Sequence, residues 1–301
     1  MHWTKLGRIY IPSANHPKLV THAANPLPIH LEGDIYRIFF SGRDVQNRSS
    51  VGFADVNIAS FKIVYDHRKP IFEHSSERSF FSEGVSLGNS YQADGKNYIL
   101  FMGWQRPSGN HWRGDIGRLV LNSDFSLELK DQSPILSSDP VDPISLSYPW
   151  VIREQSGKYR MYYGSTITWD AGNSEMLHVI NHAESEHGRD WKRLGLSIPY
   201  KVGVAQAFSH PSVIYSPEEG YQMWFSYRSG ANDKYRIGYA QGSDGKNWEL
   251  RNDEAGIDVS ESGWDSEMIE YPFVFDHKGQ RFMLYNGNGY GKTGFGLAIF
   301  E

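Results

Sequence analysis

The sequence predicts an all-β fold: a five-bladed β-propeller that forms a single domain over residues 1–301 and is closed by its N-terminal strand. Two observations lead to this prediction. The content of 18 Tyr, 16 Phe, 9 Trp and 30 Gly favours many short strands and tight turns. A segment of 61 or 62 residues also recurs along the chain, and no long segment has helical periodicity.

The repeat is anchored by five short motifs that carry Pro or Gly at their second position. The anchors are Pro26, Gly88, Pro149, Pro211 and Pro272, at spacings of 62, 61, 62 and 61 residues. Ten residues after each anchor, an aromatic residue opens a second apolar strand, as in "YRIFFSG" and "YILFMGW". A third strand follows in each repeat, and a fourth strand that contains Trp follows in two. A four-stranded antiparallel unit that is repeated radially is a propeller blade.

The N-terminal strand is expected to complete the fifth blade. The fifth repeat ends at Glu301 without a fourth strand, and "HWTKLG" (2–7) matches the fourth strand "DWKRLG" (190–195) at the Trp, Leu and Gly. Such pairing would remove an exposed sheet edge. A β-sandwich or a two-domain β protein is the alternative, and the regular spacing disfavours both.

Composition limits the function classes. The net charge of −5 argues against a nucleic-acid or anionic-membrane partner, and the absence of cysteine excludes disulfides and thiolate metal sites. The first residues lack the layout of a signal peptide, and no apolar run is long enough to cross a membrane. We expect a cytoplasmic protein with no nucleic-acid or membrane partner and no cofactor.

Four polar or amphipathic residues are expected to form a ring around the central channel. The inner strand of each blade lines the channel, and the residue before its anchor lies near the mouth. These residues are Asn25, Tyr148, His210 and Tyr271, with Leu87 in the second blade. A ligand pocket and a structural ring of hydrogen-bonded groups both fit this pattern.

Two carboxylates occupy equivalent positions, five residues before the anchors of blades two and five. They are Glu83 and Glu267, and blade one between them offers His22. A glycosidase needs one carboxyl group to protonate the leaving oxygen and a second one to activate water or attack the sugar. We predict Glu83 and Glu267 as this pair; solvated loop charges are the alternative.

Asp265 and Glu270 compete for the same roles. Asp265 is predicted as the catalytic residue if one member of the pair is not. Alternatively, its side chain only accepts hydrogen bonds from backbone amides of the turn "SGWDSE". Glu270 is expected at the sugar site and could face the channel or the space between blades. Such an acidic cluster could also hold calcium, but the ligand spacing of a calcium loop is missing.

Residues that follow the second strands are expected to bind the substrate. Arg43, Trp104, Arg228 and Asn286 could stack on a sugar or bind hydroxyl or anionic groups; packing between blades is the alternative for Trp104. The polar, aromatic segment 105–115 is a candidate substrate loop, and "ITWDAGNSEM" in blade three is similar. "SDGKNW" (243–248) and "GNGYGKTGFG" (287–296) are interpreted as structural turns, since the second lacks phosphate-loop spacing.

Taken together, these features resemble the five-bladed propeller glycosidases, which include the arabinanase/xylosidase, invertase and mannoside phosphorylase groups. "THAANP", "SGWDSEMI", "YPFVF" and "YNGNGYGKTGFG" are more closely similar to uncharacterised glycosidase-like bacterial proteins of polysaccharide gene clusters. The resemblance implies a glycoside hydrolase that acts on a bacterial glycan or glycan precursor, with a phosphorylase or transglycosylase as variants. A non-catalytic glycan-binding or scaffolding propeller is the second hypothesis.

The sequence also departs from this pattern. The arabinanase type has Asp before the blade-one Pro, where this chain has Asn25, and its general acid lies in a Glu-Gly-Pro stretch of blade three. The similar "EYP" (270–272) of this chain lies in blade five. The catalytic frame is therefore rotated around the ring, or the activity differs, because the fold alone does not establish function.

Overall fold

The computed structural model describes residues 1–75, 78–107, 111–230 and 233–301. In these residues the chain is built of β-strands with one 3-10 helix, Asn252–Glu254. The first strands are β1 (Trp3–Tyr10), β2 (Thr21–Glu32), β3 (Ile35–Arg43), β4 (Ser49–Asn57), β5 (Lys62–Asp66), β6 (Gly84–Ala93), β7 (Lys96–Gln105), β8 (Arg113–Leu121) and β9 (Leu127–Glu128).

The remaining strands continue the pattern. They are β10 (Ser145–Arg153), β11 (Tyr159–Thr168), β12 (Leu177–Ser185), β13 (Lys192–Leu196), β14 (Ser209–Ser216), β15 (Gly220–Tyr227), β16 (Arg236–Gly242), β17 (Glu249–Leu250), β18 (Glu270–His277), β19 (Gln280–Asn286) and β20 (Phe295–Phe300). No helix in the described ranges is long and apolar enough to span a membrane.

Antiparallel pairing groups the strands into blade-like units of four. Units three and four are β10 to β13 and β14 to β17, and each forms its own sheet. Units one and two, β2 to β5 and β6 to β9, share one sheet because a single parallel bridge joins Ser49 to Gly84. The predicted all-β class with blade-like organisation is confirmed.

The N-terminal strand pairs with the last strand of the chain, as predicted. The fourth sheet has the order β1-β20-β19-β18, and Trp3 lies opposite Phe300. Trp3 is buried and packs edge-on against Trp224 of the fourth unit. The two ends of the chain therefore contribute to one sheet.

Tight hairpins join the first two strands of each unit. In units two and five the turn residues Asp94-Gly95 and Lys278-Gly279 all have positive φ, which matches the twist of a two-residue hairpin. The two structural turns predicted from the sequence are also present. Trp248 is buried at the end of the 243–248 turn, and residues 287–294 connect β19 to β20.

The first strand of each unit lies innermost and contacts the first strand of the next unit. The contacts run from β2 to β6, β10, β14 and β18, and β18 contacts β2 again. Hydrogen bonds reinforce several of these contacts: the Asn89 amide pairs with the Val151 backbone, and the Val274 amide donates to Ser212 Oγ at 2.8 Å. The inner strands thus enclose a common centre.

Candidate functional site

A cavity of about 460 Å³ lies where side chains from all of these units converge. Unit one contributes Arg43, unit two Trp104, unit three Tyr148, unit four Arg228 and unit five Tyr271. A polar and aromatic cavity to which several chain segments contribute is the default candidate for a small-molecule site.

The four predicted ring residues share an unusual backbone conformation. Asn25, Tyr148, His210 and Tyr271 have φ values of 54°, 35°, 50° and 54°, in the left-handed region. This conformation costs a non-glycine residue about 1–2 kcal/mol. Register shifts occur at the same point in every inner strand, within 24–27, 87–90, 147–150, 209–212 and 270–273. Such bulges redirect side chains, and they are frequent beside active sites.

Three of the four predicted ring residues pack together. The Tyr148 and Tyr271 rings are 5.2 Å apart, and the Tyr148 hydroxyl donates to the Tyr271 hydroxyl at 3.2 Å. The His210 ring lies 5.4 and 5.6 Å from these two rings and does not itself line the cavity. Burial lowers the pKa of His210 to about 4, so the imidazole is neutral at pH 7.

Glu270 occupies the inner-strand position that precedes the ring residue Tyr271. The equivalent residues of units two, three and four are Ser86, Ser147 and Ser209, and all three line the cavity. The fifth unit therefore has a carboxyl group where units two, three and four have a hydroxyl and unit one has Ala24. This position, two residues before each anchor, is the sequence signal by which the acid could have been selected.

The Glu270 carboxyl is fully buried, and neither oxygen has a hydrogen-bond partner in the described part of the chain. Burial raises its pKa well above the ordinary value, against the opposing charges of Arg43 and Arg228. The Tyr271 hydroxyl also opposes the rise, but it lies outside hydrogen-bond geometry. The environment thus favours the protonated form, as a general acid requires.

Besides Tyr271, three cavity tyrosines lie within electrostatic range of this carboxyl group. Burial raises the pKa of Tyr148, Tyr235 and Tyr290, and Glu270 raises each further. All three tyrosines line the cavity. Glu270 is therefore adjacent to the cavity wall, although its own surface is covered.

Two arginines of the wall have different partners. Arg228 Nε lies 2.7 Å from Glu175 Oε2, and its Nη2 donates to Glu175 Oε1 at 2.9 Å. Glu175 is 4% exposed, and it also accepts a bond from the Met176 amide. Arg43 instead donates to the neutral Asn47 side chain at 2.9 Å. Arg228 therefore has its charge balanced by a carboxylate, whereas no carboxylate of the described residues pairs with Arg43.

The carboxylates predicted for catalysis lie elsewhere. Glu83 is half-buried and Glu267 is exposed, and neither is among the described residues that line the cavity. The backbone of Glu267 is bound on both sides, to the Asn288 side chain at 2.8 Å and to Arg236 at 2.9 Å. The structure does not bring this pair together at the cavity.

Asp265 is buried in a structural ion pair. Its Oδ2 lies 2.8 Å from Lys5 Nζ on β1 and accepts a bond from the Tyr285 hydroxyl at 3.0 Å. It does not line the cavity. The contact joins the segment before β18 to the N-terminal strand, so Asp265 stabilises that pairing.

Asn25 and Asn286 connect the first and fifth units. The Asn286 amide donates to the Ala23 and Gly294 carbonyls at 2.7 and 2.8 Å, and its oxygen accepts from the Asn25 backbone at 2.9 Å. Asn286 has no exposed surface. The side-chain nitrogen of Asn25, Nδ2, is buried without a partner in the described residues. The Asn286 side chain thus binds the backbone of β2 and of the turn before β20.

His22 lies near Arg43 but does not line the cavity. Its Nδ1 is 2.8 Å from Thr21 Oγ1. Burial first, and then the charges of Arg43 and Lys292, lower the pKa of His22 to about 3. His22 is therefore neutral at pH 7 and adds no charge beside Arg43.

Trp104 lines the cavity, as the prediction for substrate contact requires, and also packs between units. Its Nε1 donates to Ser49 Oγ at 3.1 Å, and it is 9% exposed. The exposed Arg106 guanidinium lies 5.6 Å from its ring. Trp104 therefore contributes both to the cavity wall and to the packing between units.

The predicted substrate loop 105–115 meets the similar segment of unit three. Residues 108–110 lie outside the described residues. Trp112 lines the cavity, and its ring is 5.2 Å from Trp169. The His111 ring stacks on Trp169, with the ring centroids 4.4 Å apart. Aromatic contacts thus join the two loops beside the cavity.

One hydrogen-bonded group in the cavity wall, His178 with Ser147 and Thr166, was not predicted from the sequence. His178 Nε2 lies 2.6 Å from Ser147 Oγ, and its Nδ1 lies 2.7 Å from Thr166 Oγ1. Burial lowers the pKa of His178 to about 3, so the ring is neutral and orients the Ser147 hydroxyl. Its only sequence signal is a His inside an apolar strand, which is equally typical of a core residue.

Known proteins share the fold and, at higher identity, the sequence. No protein-family model matches this chain. Two uncharacterised proteins of Mycobacterium tuberculosis, from strains CDC 1551 and H37Rv, are each 43% identical to it over 303 residues, which cover all of both chains.

Solved structures of propeller glycosidases superimpose on nearly the whole chain. A glycoside hydrolase aligns with a TM-score of 0.75 at 13% identity and covers 98% of this chain and 90% of its own. A structure from the GH130 family of mannoside phosphorylases and glycoside hydrolases gives 0.74 at 14% identity, covering 99% and 93%. A thermostable family-43 glycoside hydrolase gives 0.70 at 16% identity, covering 96% and 91%. At these identities the likeness shows the fold alone. By sequence, the chain belongs to the same family as the two mycobacterial proteins.

Proposed function

We propose that this protein is a glycoside-active enzyme whose active site is the central cavity, with Glu270 as the proton donor. The buried Glu270 carboxyl carries this proposal, because it has no partner in the described residues and lies at a position that lines the cavity in three other units. A site that keeps a carboxylic acid protonated is suited to protonate a glycosidic oxygen.

The proposal includes the complete architecture. We propose that the five units are the blades of a five-bladed propeller, closed where β1 pairs with β20. The circuit of contacts among the inner strands supports this. The cavity would then lie at one mouth of the central channel, where several blades can contact one ligand.

The best candidate for the second carboxylate is Glu175. Arg228 pairs with Glu175, and its charge also opposes the rise in the pKa of Glu270. Both acids raise the pKa of the Tyr290 hydroxyl. The two carboxyl groups thus face the same arginine and the same cavity wall, in different environments. A buried acid without partners and a carboxylate held by arginine are suited to opposite roles in glycoside cleavage. This pair replaces Glu83 and Glu267 in the proposed mechanism.

The aromatic wall is suited to a sugar ring. Trp104, Trp112 and Tyr148 offer apolar faces, and Ser86 and Ser209 offer hydroxyl groups to the same cavity. Such a combination of aromatic and polar groups can fix a polyhydroxylated ligand in one orientation.

The test compares Glu270→Gln with Glu267→Gln on a panel of aryl glycosides and oligosaccharides. Both variants remove one carboxylate from the same segment, but only Glu270 is buried beside the cavity. Loss of a general acid should lower turnover roughly a hundredfold or more. Glu267→Gln should retain wild-type turnover. Equal turnover of wild type and folded Glu270→Gln would overturn the assignment of the acid.

A non-catalytic glycan-binding propeller is the second candidate. It is favoured by the absence of any Asp or Glu from the described cavity lining, since Glu270 is covered and Glu175 is engaged by Arg228. In that case a glycan would bind with the same affinity to wild type and Glu270→Gln, and neither protein would release product. Binding by calorimetry together with product analysis separates the two functions.

A further inference from the structure

We infer that the ligand of this cavity is a sugar that carries an anionic group, a phosphate or a carboxylate, and that Arg43 binds that group. The inference rests on the proposed function, because it takes the cavity as a sugar site, and it adds the chemical class of the substrate.

The charges of the wall are all positive. Arg43, Arg106 and Arg228 line the cavity, whereas no aspartate or glutamate does so among the described residues. The whole chain nevertheless carries a net charge of −5. Three arginines around one cavity of an acidic protein therefore give it a local potential opposite to the overall charge.

Arg43 is the unbalanced charge of this group. Arg228 is neutralised by its paired contacts with Glu175. Arg106 is exposed, so water screens its charge. Arg43 is half-buried, and its side chain donates to the neutral amide oxygen of Asn47 and forms no ion pair within the described residues. A guanidinium in this setting retains donors for a ligand.

The titratable groups that face Arg43 do not supply the missing negative charge. The pKa of Glu270 is raised by burial, and the pKa of His22 is lowered to about 3 by burial and by Arg43 itself. Both groups therefore favour their neutral forms. Lys292 adds a further positive charge near His22. A ligand with a negative group would balance this charge, and a planar guanidinium matches phosphate and carboxylate oxygens with two parallel hydrogen bonds.

Matched ligands test the inference by calorimetry at low salt. Gluco-, galacto- and manno-configured sugars are each supplied as the neutral hexose, the hexuronate and the hexose 1-phosphate, with inorganic phosphate alone as a further ligand. An anionic member should bind at least tenfold more tightly than its neutral counterpart, and added NaCl should reduce that difference. The phosphate and carboxylate series show which anion is recognised.

The variants assign the effect to one side chain. Arg43→Gln should weaken binding of the anionic ligand roughly tenfold to a hundredfold and leave the neutral hexose unchanged. Arg43→Lys keeps the charge without the planar fork, so it should restore part of the loss. Arg68→Gln, which removes an exposed arginine paired with Asp66, should bind like wild type.

Two failures are distinguishable. Equal affinity for neutral and anionic sugars, unchanged in Arg43→Gln, would overturn the inference and leave the proposed glycoside function in place. Binding of inorganic phosphate that depends on Arg43, without binding of any sugar, would support the anion site and overturn the glycoside function. No binding of any anion would also overturn the inference.

Discussion

Replacing Glu270 by glutamine should make the protein more stable at neutral pH while it removes the proposed acid. The wild-type side chain is an acid buried without a hydrogen-bond partner in the described residues. Such a group is costly to ionise inside a protein, so residues of this kind are retained for function rather than for stability. Glutamine has nearly the same shape and carries no titrating group.

The sign follows from proton linkage. In the unfolded chain the carboxyl group titrates near its ordinary pKa of 4.5, whereas the folded chain keeps the proton to higher pH. The unfolding free energy of wild type therefore falls as pH rises above 4.5, by up to about 1.4 kcal/mol per pH unit, until the folded pKa is reached. Between pH 5 and 7 the advantage of Glu270→Gln should grow by up to about 2.7 kcal/mol. For a chain of this length that corresponds to about 4 °C in Tm.

Thermal melts of wild type, Glu270→Gln and Glu267→Gln at half-unit steps from pH 4.5 to 8 measure this difference. The two variants lose one carboxylate each, so a general effect of net charge appears in both curves. The exposed Glu267 should contribute less than about 0.5 kcal/mol at any pH. A difference between wild type and Glu270→Gln that stays constant from pH 5 to 7 would refute the argument, as would a variant less stable than wild type at pH 7.

Three further predictions concern the contacts that hold the site. Deleting residues 2–12 removes β1 and uncovers the edge of β20, so the unfolding free energy in urea should fall by roughly 3 kcal/mol or more, the scale of one buried aromatic side chain; an unchanged midpoint would contradict the pairing. Asp265→Asn breaks the buried contact with β1 and should cost about 1–3 kcal/mol, opposite in sign to Glu270→Gln at pH 7; a gain in Tm would disprove this role. Arg228→Ala leaves the buried Glu175 unpaired and should cost about 3–5 kcal/mol, while Arg228→Lys should cost less; equal melts of Arg228→Ala and wild type would show that the ion pair adds nothing.

The repeat predicted the blade-like architecture because it reflects a constraint that recurs in every unit. Each anchor, such as Pro149 or Pro272, lies inside an inner strand where the register shifts, and the aromatic residue ten positions later lies in the next strand. The N-terminal strand was predictable for the same reason. Trp3 fills the position beside the third strand of its unit that a fourth strand would occupy, and it is buried there. Equivalent side chains are buried between each pair of neighbouring units, so the same residue types recur along the sequence at a regular spacing.

The proposed acid, Glu270, was less predictable because the relevant constraint is local. Glu83 and Glu267 precede the first residues of β6 and β18, Gly84 and Glu270. The backbones of both are hydrogen-bonded, but the Glu83 residue is only half-buried and Glu267 is exposed. Three residues further along the fifth unit, Glu270 is opposite Asn286 in the sheet and is followed by the left-handed Tyr271.

Whether a carboxylate lies inside a strand, as Glu270 does, or before it, as Glu83 and Glu267 do, is therefore a better guide than an equal distance from the anchors. A carboxylate in a connection can move its charge into water, whereas the carboxyl group of Glu270 is held by strand pairing and by the bulge that follows. The equivalent positions in the other units are Ala24, Ser86, Ser147 and Ser209, which are small side chains. At the fifth equivalent position, the large acid Glu270 is costly for packing and for solvation. This cost is the reason for proposing a chemical role for it. The comparison of Glu270→Gln with Glu267→Gln in both turnover and pH-dependent stability is therefore a test of this principle as well as of the site.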